Sequence, residues 1–194
     1  MAEARKSRGR GGKGPMTATA LENAALHYLG RFATSSANLR RVLMRKVARA
    51  AEEETDPESG AKLVDALIAR YRESGLLNDK NYAAQAAASL ARRGGSRFSI
   101  GGKLAQKGVE TELVKEAIKG LEEEGSTEIA AACALVRRRR MGPYRLPGKR
   151  ADWKQKDLAA LARAGFRLDL ARRVLAVADV AALEALAKGE NASD

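Results

Sequence analysis

The sequence predicts an all-α fold of three tandem three-helix, helix-turn-helix-like repeats in an elongated curved array. Three observations carry that expectation. The 194 residues are rich in Ala, Leu, Arg, Lys and Glu, which favour helices, and only 4% are the aromatics that help build strands and large cores. Apolar residues recur at three- and four-residue spacing in successive short segments separated by Gly, Pro, Ser or Asp. The segments also superimpose on one another, and an internal repeat means that each unit is one supersecondary piece stacked on the next.

Residues 1–18 read as a disordered basic tail, with too much Gly and charge to bury anything. The RGRGGKG run within it reads as a solubilising arm, with a nucleic-acid-binding tail as the alternative. It is not a phosphate loop, because no strand precedes it. No apolar run follows the basic start, so no signal peptide is expected.

The first repeat spans residues 19–77. Thr19 and Glu22 have capping-box spacing, and Leu21, Ala25, Tyr28, Leu29 and Phe32 form one stripe. Thr34, Ser35 and Ser36 offer the next N-cap, ahead of a helix with Leu39, Leu43 and Val47. Residues 51–60 (AEEETDPESG) read as an acidic loop inserted at a helix junction. A third helix carries Leu63, Val64, Leu67, Ile68 and Tyr71, and Gly75 stops it.

The second repeat spans 78–124. Asp79 is the expected cap of a helix through Ala83 and Ala91 that ends at Gly94 and Gly95. Ser99 is the expected cap of the next, with Ile100 and Leu104 inward and Gly108 ending it. Leu113, Val114, Ala117, Ile118 and Leu121 mark the sixth helix. The third repeat spans 125–178. Its first helix holds Ile129, Cys133 and Val136 and ends at Met141-Gly142-Pro143. Its second starts beyond Asp152 with Leu158 and Leu161 and ends at Gly165. Its third carries Leu170, Val174 and Leu175. Residues 179–194 read as a short helix, capped by Asp179, and a tail.

In the repeat register Leu43, Leu104 and Leu161 coincide, as do Val47, Gly108 and Gly165. Five residues separate Gly108 from Leu113 and Gly165 from Leu170. The acidic stretch is then a twelve-residue insertion in the first repeat.

Lys and Arg number 36 against 24 Asp and Glu, a formal charge of +12, which draws the chain toward polyanions. No stretch approaches 18 apolar residues, so a spanning helix is excluded. A single Cys forms no internal disulfide, and a cytoplasmic location is the simplest expectation. Three cation clusters are the expected contact surface. The first is Arg40, Arg41, Arg45, Lys46 and the nearby Arg49. The second is Arg92, Arg93, Arg97, Lys103 and Lys107, in a stretch from Lys80 to Val109 without an acid. The third is Arg137, Arg138, Arg139, Arg140, Arg145, Lys149 and Arg150, again without an acid. Helix dipoles account for Arg92, Arg93 and Lys107, since a cation near a helix C-terminus gains about 0.3–1 kcal/mol. They do not account for four consecutive arginines, which circle the helix and read as a contact for a polyanion or an acidic surface.

Catalytic chemistry is not expected. His27 has no partner set around it, Cys133 reads as a small core hydrophobe, and no spacing supplies three metal ligands. Glu52–Glu54 and Glu122–Glu124 read as solvated runs. No cofactor is expected. Trp153 reads as core of the third repeat, with stacking on bases as the other possibility. Sequence-specific DNA reading by the last helix of a repeat is disfavoured, because Glu110, Glu112, Glu116 and Glu122 to Glu124 would meet phosphates there.

GLLNDKNYA at 75–83, KLAQKGV followed by ELVKEAI, ALARAGFRLDLARRVL and the RRRRMGPYR stretch together resemble the RecX family, the bacterial regulators of the RecA recombinase. The resemblance covers residues 21–178, in order and spacing. It implies three tandem three-helix repeats lying in the groove of the RecA filament on single-stranded DNA. It also implies modulation, usually inhibition, of strand exchange, ATP turnover and LexA co-cleavage, with possible direct DNA contact. The acidic insertion, the basic tail and Val47 in place of Gly depart from the family's pattern. The expected state is a monomer. The rival reading is a helical repeat protein that binds nucleic acid directly and non-specifically.

Overall fold

The computed structural model describes residues 16–51, 56–124 and 127–189. Among these there are ten α-helices and no strand, so the protein is all-helical. They are α1 (Ala18–Leu29), α2 (Ser36–Ala51), α3 (Pro57–Glu73), α4 (Asp79–Arg92), α5 (Arg97–Gln106), α6 (Thr111–Glu123), α7 (Glu128–Arg139), α8 (Arg150–Arg163), α9 (Leu168–Leu175) and α10 (Val180–Lys188). Two 3-10 turns, Gly142–Tyr144 and Pro147–Lys149, link α7 to α8. The basic RGRGGKG run and Glu52 to Glu54 lie outside the described residues. The chain divides into two compact units, Met1–Asn78 and Asp79–Asp194.

The first unit packs α1, α2 and α3 around Leu21, Ala25, Leu39, Leu43, Val47, Val64, Leu67, Ile68 and Tyr71, with Leu77 closing the end. These positions follow the predicted stripes, although Phe32 at the end of the first stripe is exposed. The N-cap of α1 is Thr17, two residues before the expected Thr19, and its hydroxyl accepts from the Ala20 N–H at 3.2 Å. Ser35 caps α2 by accepting from the Asn38 N–H at 3.1 Å. The acidic loop is shorter than expected. Helix α2 runs on to Ala51, and Asp56 caps α3 with Pro57 at its first position. Proline there loses no hydrogen bond and presets the helical φ, so Pro57 starts this helix rather than breaking it.

Val47 explains the longer α2. At the matching positions Gly108 and Gly165 adopt φ of +75° and +89° and end their helices, whereas Val47 continues its helix, fully buried. Gly60 makes room for it, since a Cβ on residue 60 would sit 2.4 Å from Val47 Cγ1. The valine side chain fills the volume that the glycine leaves, and α2 and α3 pack closely as a result.

The second unit has two cores. One joins Ala83, Ala87 and Ala91 of α4 to Ile100, Leu104, Val109, Ala117 and Leu121. The alanines lie four residues apart on one face of α4, and their small size lets α5 and α6 approach it. The other core gathers Ala132, Cys133, Leu135 and Val136 of α7, then Met141, Leu161, Phe166, Ala171 and Val174. It also takes in Leu183 of α10, which is fully buried. Residues 179–188 are therefore a packed helix of this unit, capped by Asp179 as expected, through the Ala182 N–H at 2.8 Å.

Glycines bring the two cores together. Gly94 ends α4 at φ +78°, and a Cβ there would meet the Leu135 backbone nitrogen at 2.5 Å. Ser96, not Ser99, caps α5, accepting from the Ser99 N–H at 3.1 Å. Its hydroxyl also donates to the Ala164 carbonyl at 2.6 Å. Next to it Arg97 pairs with Glu122 of α6 and with Glu128 of α7. The turn between α4 and α5 is thus locked onto both α7 and the end of α8.

Candidate basic contact surface

Helix α7 leads into the longest unbroken run of cations in the sequence. Thr127 caps it, with its hydroxyl accepting from the Ala130 N–H at 3.0 Å, and its apolar face is buried as far as Val136. Arg137, Arg138, Arg139 and Arg140 follow, all exposed. Among the described residues no hydrogen bond or ion pair engages their side chains. The helix ends with Arg140 in the left-handed conformation, φ 52° and ψ 47°.

The link after α7 is held by a buried carboxylate. Asp157 of α8 accepts from Arg145 Nε at 2.7 Å, from Arg145 Nη2 at 2.6 Å and from the Gly142 N–H at 3.0 Å. Its side chain is 4% exposed, so its charge is stable there only because these three donors replace water. The same fork raises the Arg145 pKa further above its ordinary value. Arg150 fastens the other side of the link, donating to the carbonyls of Arg145, Pro143 and Ala178. Trp153 is half-exposed rather than in the core. The Arg145 guanidinium lies 4.0 Å from its ring centroid and the Lys156 ammonium 4.6 Å, both at cation–π distance. An indole ring that holds two cations gains that attraction at the surface and need not be buried. A groove of about 720 Å³ opens beside the link, with Lys154 and Arg172 on its rim and Leu158 and Leu175 in its wall.

The third cluster therefore splits into two roles. Arg145 and Arg150 brace the link, whereas Arg137 to Arg140 and Lys149 stand out from it. In the second cluster Arg97 is likewise committed to internal ion pairs, and Arg92, Arg93, Lys103 and Lys107 are exposed. In the first, Arg40 forms a forked bond to Asp65 of α3 at 2.6 and 3.0 Å. That bond holds the Asp65 carboxyl below the usual carboxylate range. Arg41, Arg45, Lys46 and Arg49 are exposed along α2. Lys154, Lys156 and Arg172 add to the surface, and Asp157 organises it. Of these four only Arg172 stood out in the sequence, as one of the cations of the last helix of the third repeat.

The acidic helix α6 is less one-sided than its sequence. Glu112 pairs with Lys115, Glu116 with Lys80, Glu122 with Arg97 and Glu123 with Lys119. These pairs are exposed, so each contributes at most about 1 kcal/mol and can re-form with another partner. His27 is exposed on α1. Cys133 is 3% exposed, and burial pushes its thiol up to about 11, which leaves it protonated and unreactive at neutral pH.

Among the described residues, no helix is long and apolar enough to cross a membrane. Fold and surface together define an all-α protein that displays, at the end of α7, a ridge of arginines unpaired among the described residues, followed by a link braced by a buried carboxylate. The chain is 44% identical over 175 residues to the Regulatory protein RecX of Myxococcus xanthus (strain DK1622), a match covering 88% of this chain and 92% of that one. It is 30% identical over 155 residues to the Regulatory protein RecX of Agrobacterium fabrum (strain C58 / ATCC 33970), covering 80% and 81%. The chain belongs to the RecX family. No family model and no solved structure matches it.

Proposed function

We propose that this chain is an inhibitory modulator of the RecA recombinase, acting in the cytoplasm as a monomer without a cofactor. It binds in the groove of the RecA filament on single-stranded DNA. There it limits filament growth, strand exchange, ATP turnover and co-protease action. The observation that carries the reading is the run Arg137 to Arg140, four exposed cations without a partner among the described residues, on a helix end whose following link is pinned by Asp157. Because the helix and its pinned link already fix the backbone, the ridge loses little backbone freedom on meeting an anionic partner, which favours affinity.

The three small cores support three tandem repeats, 19–77, 78–124 and 125–178, each able to touch a different part of a long partner. Contacts across neighbouring recombinase protomers would hold the groove against other ligands. Because Glu112, Glu116, Glu122 and Glu123 are already paired, attraction to a basic wall there comes from Glu110, Glu124 and the exchange of exposed pairs. The arginine ridge, Arg92, Arg93 and the α2 cations carry more of the contact.

The same arginines favour a second reading, direct and non-specific binding of nucleic acid. Fluorescence anisotropy with a labelled oligodeoxythymidylate separates the two, with the strand bare or coated by RecA and a non-hydrolysable ATP analogue. Regulation through the filament predicts at least about tenfold tighter binding to the coated strand, a difference of about 1.4 kcal/mol. Equal or tighter binding to the bare strand, with log K falling by about 3 per decade of salt for a four-arginine patch, would favour the second reading instead.

A further inference from the structure

We propose that Arg140 is the residue of this ridge that grips a phosphodiester of the single strand, and that the fold gives up stability to place it. The inference rests on the filament reading but identifies one residue and its target. Four helices of the second unit end in the same way. In α4, α5, α7 and α8 the residue after the last full turn donates its N–H three residues back, and the next residue donates five back. The bonds run from Gly94 to Ala91 and Gly95 to Leu90, from Gly108 to Ala105 and Val109 to Leu104, and from Gly165 to Ala162 and Phe166 to Leu161. At the end of α7 they run from Arg140 to Arg137 at 3.1 Å and from Met141 to Val136 at 3.0 Å. This paired bonding needs a left-handed residue, for which glycine has no Cβ penalty.

Three of these four caps are glycine, and the fourth is arginine. Among the described residues Arg140 is the only non-glycine with positive φ. Crowding also requires glycine at Gly94 and Gly165, where a Cβ would stand 2.5 Å from the Leu135 nitrogen and 2.6 Å from Ser96 Oγ, but Gly75 and Gly189 have open space where a Cβ would stand. The chain thus uses glycine for this backbone conformation even where a side chain would fit. An L-residue there costs about 1–2 kcal/mol, and arginine has no short side chain to offset it through local bonding. No hydrogen bond or ion pair within the described residues engages the Arg140 side chain. A local rule broken without internal compensation is the mark of a functional position.

The target is a phosphodiester because of what surrounds the residue. Arg138 and Arg139 precede it, no acid occurs between residues 137 and 150, and the carboxylate of Asp157 is already engaged by three donors. A guanidinium on a fixed backbone suits a forked bond to phosphate oxygens.

The test compares Arg140→Gly and Arg140→Asn with the wild type in thermal unfolding and in anisotropy with oligodeoxythymidylate, bare and RecA-coated. Arg140→Gly is expected to raise Tm by about 2–8 °C, the shift that relief of this strain gives in a chain of this size. Both variants should bind the strand about tenfold more weakly, and the salt slope should fall by about 0.7, the loss of one contact. Asparagine tolerates the left-handed conformation, so its loss of binding would not reflect a loosened link. Unchanged binding by both variants would overturn the inference while leaving the filament reading intact. An unchanged Tm for Arg140→Gly would equally overturn it, since no stability would then be given up. Weaker binding by the variants to bare DNA, with no preference of the wild type for coated strand, would sink the filament reading and keep Arg140.

Discussion

Replacing Asp157 with Ala is expected to destabilise the second unit by about 3 kcal/mol and to loosen the link that follows α7. The carboxylate is the shared acceptor for the Arg145 fork and the Gly142 N–H. Its removal leaves a guanidinium only 21% exposed without its counter-charge. Breaking a buried pair from one side costs about 3–5 kcal/mol, and the partial exposure of Arg145 puts this case at the low end. Urea unfolding followed by circular dichroism measures the loss. Trp153 is the only tryptophan, so its fluorescence reports the stack on Arg145 directly. A changed emission in the folded variant is expected. A loss under about 1 kcal/mol with native emission would mean that the pair does not hold the link. Replacing both partners with apolar residues, Arg145→Met with Asp157→Leu, should recover most of the stability, because no unpaired charge then remains buried.

The second large effect is on binding. Arg138→Glu with Arg139→Glu reverses two exposed cations and changes the local charge by four units. Affinity for the RecA-coated strand is expected to fall about a hundredfold, the loss of one to two charge-assisted contacts together with new repulsion. Folding should change by only about 1 kcal/mol, mostly because acids replace bases at a helix C-terminus. Anisotropy for binding and a parallel urea titration for stability separate the two effects. Normal affinity in a folded double variant would remove the arginine ridge from the contact.

How far the sequence reaches can be judged from particular residues. The helices were legible because their apolar stripes are regular, and Leu43, Leu104 and Leu161, aligned in the repeat, are each fully buried. Helix starts were less so, since a hydroxyl two or three residues away competes for the same role. Thr17 and Ser96 cap where Thr19 and Ser99 were expected. Pro57 and Gly60 looked like loop residues, yet each suits a helix once Asp56 caps it and Val47 fills the space beside it.

The contact surface was legible as composition but not as geometry. Runs of arginine reveal charge. They do not reveal which guanidinium, such as that of Arg97, Arg145 or Arg150, is committed within the fold. Asp157 reads as an ordinary polar helix residue, and only the folded link shows that it is buried beneath three donors. Trp153 misled for a related reason. A large apolar ring suggests a core, but cations on the same surface satisfy it half-exposed. The left-handed state of Arg140 has no sequence signal at all, because the usual signal is the glycine it replaces.

The measurement closest to the central claim is ATP turnover by RecA on saturating single-stranded DNA, titrated with this protein. Saturating DNA suppresses simple competition for bare strand. Regulation through the filament predicts that turnover falls at well below one copy per recombinase, and that the Arg138→Glu, Arg139→Glu variant requires far more. Undiminished turnover at an excess of protein would contradict it.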